Sequence, residues 1–373
     1  MMADDQFAGK GCISEYKEFL SGGIAARRFV ALDPSSFAAV YAGRTGGSPT
    51  VEDNINFHRA FPSDAIASDF LNWEEILPEL HWSRKVIRRD EDGTEYREET
   101  IRLPSGEKRR VIADKAGTTP WLVEAAVKSG DDFDLIEYYA DCIIEGMDEI
   151  RKRLTQYPAV MKANDMLAGL TVLTAFETFY LIDYPDMPLF YMDCTDAYGR
   201  AIRNVHEANL LVLQAAAEAG YEIFGAGSAG LELLSPRIFR EAIVPYQREF
   251  NDTARSLGCH TTYHICGHSR RLIEEGIIDI IRPTVFETLS APPCGNNVDL
   301  ASSVMMISED IITKGNLSLE LLRNGTPEEI TDAVSTIMEA VGDRRHIIGQ
   351  ADATILDGTP HENIRAFTNA VKR

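Results

Sequence analysis

The chain has 373 residues, an apolar share of 45% and a formal net charge of −21, from 58 acidic against 37 basic side chains. That balance excludes a nucleic-acid binder, which needs a basic face, and argues against an anionic membrane surface. Six scattered cysteines do not read as a disulfide framework, the acidic start is neither a signal nor a transit peptide, and apolar runs fall short of the ~20 residues a membrane helix needs. A cytoplasmic protein acting on small molecules, metals or protein partners is expected.

In chain order, Glu15–Leu20 reads as a short helix and Arg28–Asp33 as a short strand. Pro34–Tyr41 opens as a helix, with Asp33 as cap and Pro34 at the first helical position. A helix from Val51 leads into Phe61–Phe70, whose centre reads as a strand bracketed by Asp64 and Asp69. From His81 the pattern changes to β runs separated by Asp92-Gly93 and Pro104-Ser105-Gly106, both hairpin signals. This predicts a small antiparallel meander at about 81–114.

Beyond Pro120, long helices alternate with short apolar runs. Helices are expected at Phe133–Leu154, Asp196–Ala219, Pro236–Leu257, Ser269–Glu275, Pro327–Val341 and Pro360–Val371. Strands are expected at Leu170–Phe179, Tyr221–Gly225, Cys259–Cys266, Ile278–Ile281, Thr284–Leu289, Ile311–Lys314 and Arg345–Gly349. Such alternation implies a parallel sheet with right-handed crossovers. The number of units points to an α/β fold of the (β/α)8 TIM-barrel type, with residues 1–50 as an N-terminal extension and 51–373 as the barrel. The match of Gly225, Gly227 and Gly230 to Gly-x-Gly-x-x-Gly has the wrong context for a dinucleotide, because the next helix opens only at Pro236.

Barrel chemistry sits at the C-terminal ends of the strands. That rule selects Asp69, Glu222, His264, Cys266, Glu287, Asn316 and the loop Gly349–Asp352. His264 and Cys266, two apart, put an imidazole and a thiol on one side of a strand, and these are donors that Zn²⁺ prefers. A catalytic zinc usually has three protein ligands. Cys294, in the loop after Thr284–Leu289, reads equally as a third ligand or a plain loop cysteine, and Asp352, Glu222 or Glu287 could supply oxygen instead. Asp69 is a candidate general acid/base or a cap for the following helix. Glu222, Glu287 and Asn316 are candidate substrate contacts.

The segments Ala229-Gly230, Leu234-Ser235-Pro236, Phe239 and Pro245-Tyr246, then Phe286-Glu287, Pro292-Pro293, Asp299-Leu300, Lys314-Gly315-Asn316 and Thr359-Pro360-His361-Glu362-Asn363, together resemble the uroporphyrinogen decarboxylase superfamily. The resemblance covers roughly Val51 to the C-terminus and implies a (β/α)8 barrel. The superfamily has a cofactor-free decarboxylase branch and a cobamide-dependent methyltransferase branch, which holds zinc by a His-x-Cys pair and a later Cys. His264-Ile265-Cys266 matches the pair, whereas the later Cys falls on Ala353: either Cys294 or Asp352 substitutes, or the site is occupied differently, or the pair is vestigial. Ala67-Ser68-Asp69 echoes the decarboxylases' Phe-Ser-Asp motif, but their arginine-rich segment has no counterpart, and their late histidine also falls on Ala353. The resemblance therefore implies a zinc-dependent methyltransferase working with cobalamin on a separate corrinoid protein, with homodimerisation an open option. A cofactor-free decarboxylase and a non-catalytic ligand-binding barrel are the alternatives.

Overall fold

The computed structural model describes residues 12–24, 27–34, 36–43, 49–61, 63–64, 66–115, 120–172, 181–228, 234–265, 267–351 and 354–371. Its centre is an eight-stranded parallel sheet of β1 (Phe29–Ala31), β2 (Ile66–Phe70), β7 (Leu167–Thr171), β8 (Ile223–Ser228), β9 (His260–Ile265), β10 (Val285–Thr288), β11 (Ile312–Leu317) and β12 (His346–Gln350). The spatial order is β1-β12-β11-β10-β9-β8-β7-β2. The sheet curls until its ends approach: the Asp64 amide, just ahead of β2, donates to the Val30 carbonyl of β1 at 2.6 Å. The result is a TIM-barrel-like sheet wrapped by helices. A second sheet is antiparallel: β3 (Ser83–Arg89), β4 (Glu95–Leu103), β5 (Gly106–Asp114) and β6 (Trp121–Glu124).

Several boundaries differ from those expected. β1 falls in the segment read as an N-terminal extension, yet it pairs with β12 and is part of the main sheet. The antiparallel sheet has a fourth strand, β6, beyond the expected end of the meander. Ile277–Ile281 is a helix and not a strand: Ile277, Ile278 and Ile281 are buried and Ile280 is exposed, a helical spacing that four isoleucines disguise in sequence. The predicted helices at 133–154 and 236–257 are each broken, at Gly146 and at Ile243. The strand expected at Leu170–Phe179 is seen as Leu167–Thr171, and 173–180 lie outside the described residues.

The inner face is layered. Its floor is apolar: Phe29, Leu167, Ile223, Val285, Ile312 and Ile347 pack with Tyr16, Phe19 and Leu20 of the helix Cys12–Leu20, which closes the N-terminal end of the sheet. Strand residues two apart share a face. Glu287 therefore lies on the same face as Val285, and Lys314 and Asn316 on that of Ile312. Leu170, Phe224, Tyr263, Phe286 and Ile348 point outward into the helix layer. Among the described residues no helix is long and apolar enough to cross a membrane.

Candidate active site

Above the apolar floor the inner face turns polar on three adjacent strands. His264, Glu287 and Lys314 are level in the ladder: Glu287 pairs with His264 on one side and with Lys314 on the other. Their side chains meet. His264 Nδ1 lies 2.9 Å from Glu287 Oε1, and Lys314 Nζ donates to Glu287 Oε2 at 2.6 Å. The three side chains keep 16–18% of their surface exposed, so the cluster is not sealed from solvent.

Small residues make room for this cluster. A Cβ on Gly349 of β12 would stand 3.0 Å from Lys314 Cγ. Gly227 of β8 has φ +106, and a Cβ there would run into the backbone of His264. That glycine thus serves strand-to-strand approach, which explains the Gly225-x-Gly227 spacing without any nucleotide.

The charges are tightly coupled. Burial pushes the Glu287 carboxyl up, but the Lys314 ammonium and the hydrogen bond with His264 outweigh it and hold the acid well below the usual carboxylate range. Burial pulls Lys314 down, and the charge and hydrogen bond of Glu287, helped by the Asp33 carboxylate, outweigh it and hold the ammonium above its ordinary value. Glu287 is thus a carboxylate across the physiological range. A carboxylate can only accept, so His264 donates its Nδ1–H to Glu287, and that bond fixes the orientation of the ring.

The other candidates fall in different places. Cys266 and Asp352 lie outside the described residues. Cys294 is exposed in the loop after β10, and that loop presses on the β9 end: a Cβ on Gly295 would stand 2.7 Å from the Gly267 carbonyl oxygen. Ser290 Oγ donates to the Ala351 carbonyl, next to Asp352. Segments adjoining Cys266, Cys294 and Asp352 are therefore stitched together. Among the described residues, no group of three or more His, Cys, Asp or Glu side chains is arranged to hold a metal ion. Asn316 Nδ2 donates to the Leu289 carbonyl at 3.0 Å, so its amide supports the main chain beside the site.

Glu222 was expected at a strand exit, but β8 begins only at Ile223. It stands at the entry, at the floor end, in an ion pair with Lys17 of the first helix. Asp69 aligns with Leu170, whose side chain faces outward. Its carboxylate accepts two bonds from Arg153, at 2.8 and 3.0 Å, and one from the Tyr221 hydroxyl at 2.6 Å. The structure thus places Asp69 in a helix-facing anchor and not in the polar layer with Glu287. Sequence reasoning missed Lys314 as a site residue, although an inward Lys at the third position of a largely buried strand needs an acid beside it. It also missed Asp33, read only as a helix cap.

Comparison with known proteins matches this architecture. The uroporphyrinogen decarboxylase (URO-D) family model covers residues 123–373. A methylated-thiol–coenzyme M methyltransferase of Methanosarcina mazei is 30% identical over 164 residues, 43% of this chain and 40% of that protein, so the match spans less than half of that relative. A uroporphyrinogen decarboxylase of Granulibacter bethesdensis is 26% identical over 260 residues, 68% of this chain and 72% of that protein. The solved structure of a methyltransferase from Methanosarcina mazei shares the fold, with a TM-score of 0.62 over 97% of this chain and 98% of its own at 13% identity. Matched over more than half its length by that family's model, the chain belongs to the uroporphyrinogen decarboxylase family.

Proposed function

We propose that this protein is a zinc-dependent methyltransferase that moves a methyl group between a small molecule and a corrinoid protein or a thiol or pterin acceptor, at the polar layer where β9, β10 and β11 end. The observation that carries this reading is the His264–Glu287–Lys314 cluster. An imidazole whose Nδ1–H is held by a carboxylate is the usual arrangement of a metal-binding histidine. The chemistry of the donor set fits zinc. His264 would bind through Nε2, and the two-residue period of a strand would put the Cys266 thiol on the same side of the chain. Cys294 or Asp352 would complete the set from the loops packed beside the β9 end.

Zinc bound there would hold a thiol as its thiolate at neutral pH. In the acceptor direction, a thiol substrate would lose its proton to solvent and give its sulfur electron pair to the methyl carbon, and the corrinoid partner would supply that methyl group and keep the bonding pair. This chain's part is positional. Glu287 fixes the imidazole, Lys314 keeps Glu287 charged, and the apolar floor below excludes water. The relatives' names support the class: one transfers methyl groups from methylated thiols and shares 30% identity over the matched segment.

The decarboxylase relative covers more of the chain and favours a second reading. A substrate carrying several carboxylates calls for arginines at the site. Lys314, the cation beside Glu287, is already neutralised, so this reading has less support. The test is turnover. Purified protein with methylcobalamin and a small thiol should form thioether faster than buffer alone, and His264→Ala should abolish the gain. No gain with any thiol, together with CO₂ release from a carboxylated tetrapyrrole, would reverse the order of the two readings.

A further inference from the structure

Directly after Glu287 the backbone does something costly. Thr288 has φ 87 and Leu289 φ 49, both in the left-handed region, where a β-branched residue is a marked outlier. Such conformations persist only where the surroundings over-determine them, and they cluster at functional sites. Both residues are buried, and both are clamped. Thr288 Oγ1 donates to the Ile265 carbonyl of β9 at 2.7 Å, and the Leu289 carbonyl accepts from Asn316 of β11.

The clamp joins two parts of the site. On its upstream side stands Glu287, level with His264. On its downstream side the chain reverses into the loop 290–297. That loop is closed by the Asn297 amide on the Ser290 carbonyl at 3.0 Å. It is pinned to the turn after β9 by Asn297 Nδ2 on Ser269 Oγ and by the Arg270 amide on Asn296 Oδ1, each at 3.0 Å. Ile265, which receives the Thr288 hydroxyl, lies between His264 and Cys266 in the chain.

We propose that Thr288 is a positioning residue: its strained backbone and its hydroxyl on Ile265 together set Glu287 against His264 and turn the Cys294 loop onto the β9 end. The inference rests on the metal reading of this site, but it makes a separate structural claim. An unstrained residue would let the chain leave β10 on another path. A residue without the hydroxyl would free the β9 end from the β10 turn.

Three variants test the clamp. Thr288→Ser keeps the hydroxyl, Thr288→Val keeps the branched shape without it, and Thr288→Gly accepts the left-handed backbone without strain and without the hydroxyl. Two measurements are made on each: zinc affinity by chelator competition, and hydrogen exchange of the segment 289–298 in metal-free protein. The expected result is that Thr288→Val and Thr288→Gly bind zinc about tenfold more weakly and exchange faster over 289–298, while Thr288→Ser stays near wild type. Thr288→Gly should do so with a melting temperature equal to or above that of Thr288→Val, since it sheds strain. Wild-type exchange in Thr288→Val would overturn the inference even if zinc is bound. A wild type without zinc would refute the metal reading while leaving the exchange result to judge the clamp.

Discussion

Two carboxylates, Asp69 buried and Glu287 partly buried, lie near the C-terminal ends of strands in the same sheet, and each is bound by a cation. Asp69 is gripped by Arg153 and Tyr221 on the outer face, and Glu287 by Lys314 on the inner face with His264 as its second partner. The first cluster is saturated with strong donors, and Tyr157 and Tyr221 stack beside it at 5.8 Å. The second contains a base, keeps some exposure, and sits above an apolar floor. A buried ion pair is thus no sign of chemistry by itself. The face of the sheet and the presence of a titratable, metal-competent partner decide whether the pair anchors a helix or orients a reacting group.

The comparison can be broken from either end. The largest effect is expected for Asp69→Ala, which removes the acceptor of two bonds from the half-exposed Arg153 guanidinium and of one from the buried Tyr221 hydroxyl, and should cost ~3 kcal/mol in urea unfolding. Metal content should not change. If Asp69→Ala kept full stability and lost turnover instead, the outer cluster would be catalytic after all.

Lys314→Met should cost somewhat less, ~2 kcal/mol at pH 7, because Glu287 keeps His264 as a partner and some contact with solvent. Its pH dependence has a definite sign. The Glu287 carboxyl is depressed on folding from 4.5, so its contribution is fully present above that value and is lost as pH falls toward the folded value. Lys314 is raised from 10.5, so its contribution is present below that value and is lost as pH rises through the folded value. The gap between wild type and Lys314→Met should be flat between about pH 5 and 10 and narrow at both extremes. A gap independent of pH down to about pH 2 would remove the ionic account of this pair.

Glu287→Gln should weaken zinc binding by about 10–100-fold through loss of imidazole orientation, read by chelator competition. The smallest effect belongs to Tyr221→Phe. It removes one bond to Asp69 and should lower stability by ~1 kcal/mol with turnover intact.

Much of this was legible in the sequence. Long amphipathic helices such as Thr195–Ala219 and Pro327–Val341 carry caps and periodicity that fix them nearly to the residue, and the alternation with apolar runs gives the parallel sheet. His264 and Glu287 were both selected by the strand-end rule. What sequence could not supply is the face of a strand and the sense of its ends. Glu222 and Asp69 each adjoin a short apolar run, but one stands before its strand and the other points outward. A two-residue period separates the faces without saying which one is inside. Lys314 was passed over because a lysine in an apolar run reads as a strand boundary, whereas its partner lies 27 residues earlier in the chain.

The most direct test is metal analysis of the purified chain beside His264→Ala and Cys266→Ser. The account predicts about one zinc per wild-type chain, and its loss in both variants with folding preserved. A wild type that takes up no zinc, or a His264→Ala protein that retains it in full, would contradict the claim that this imidazole, aimed by Glu287, seats the reactive ion.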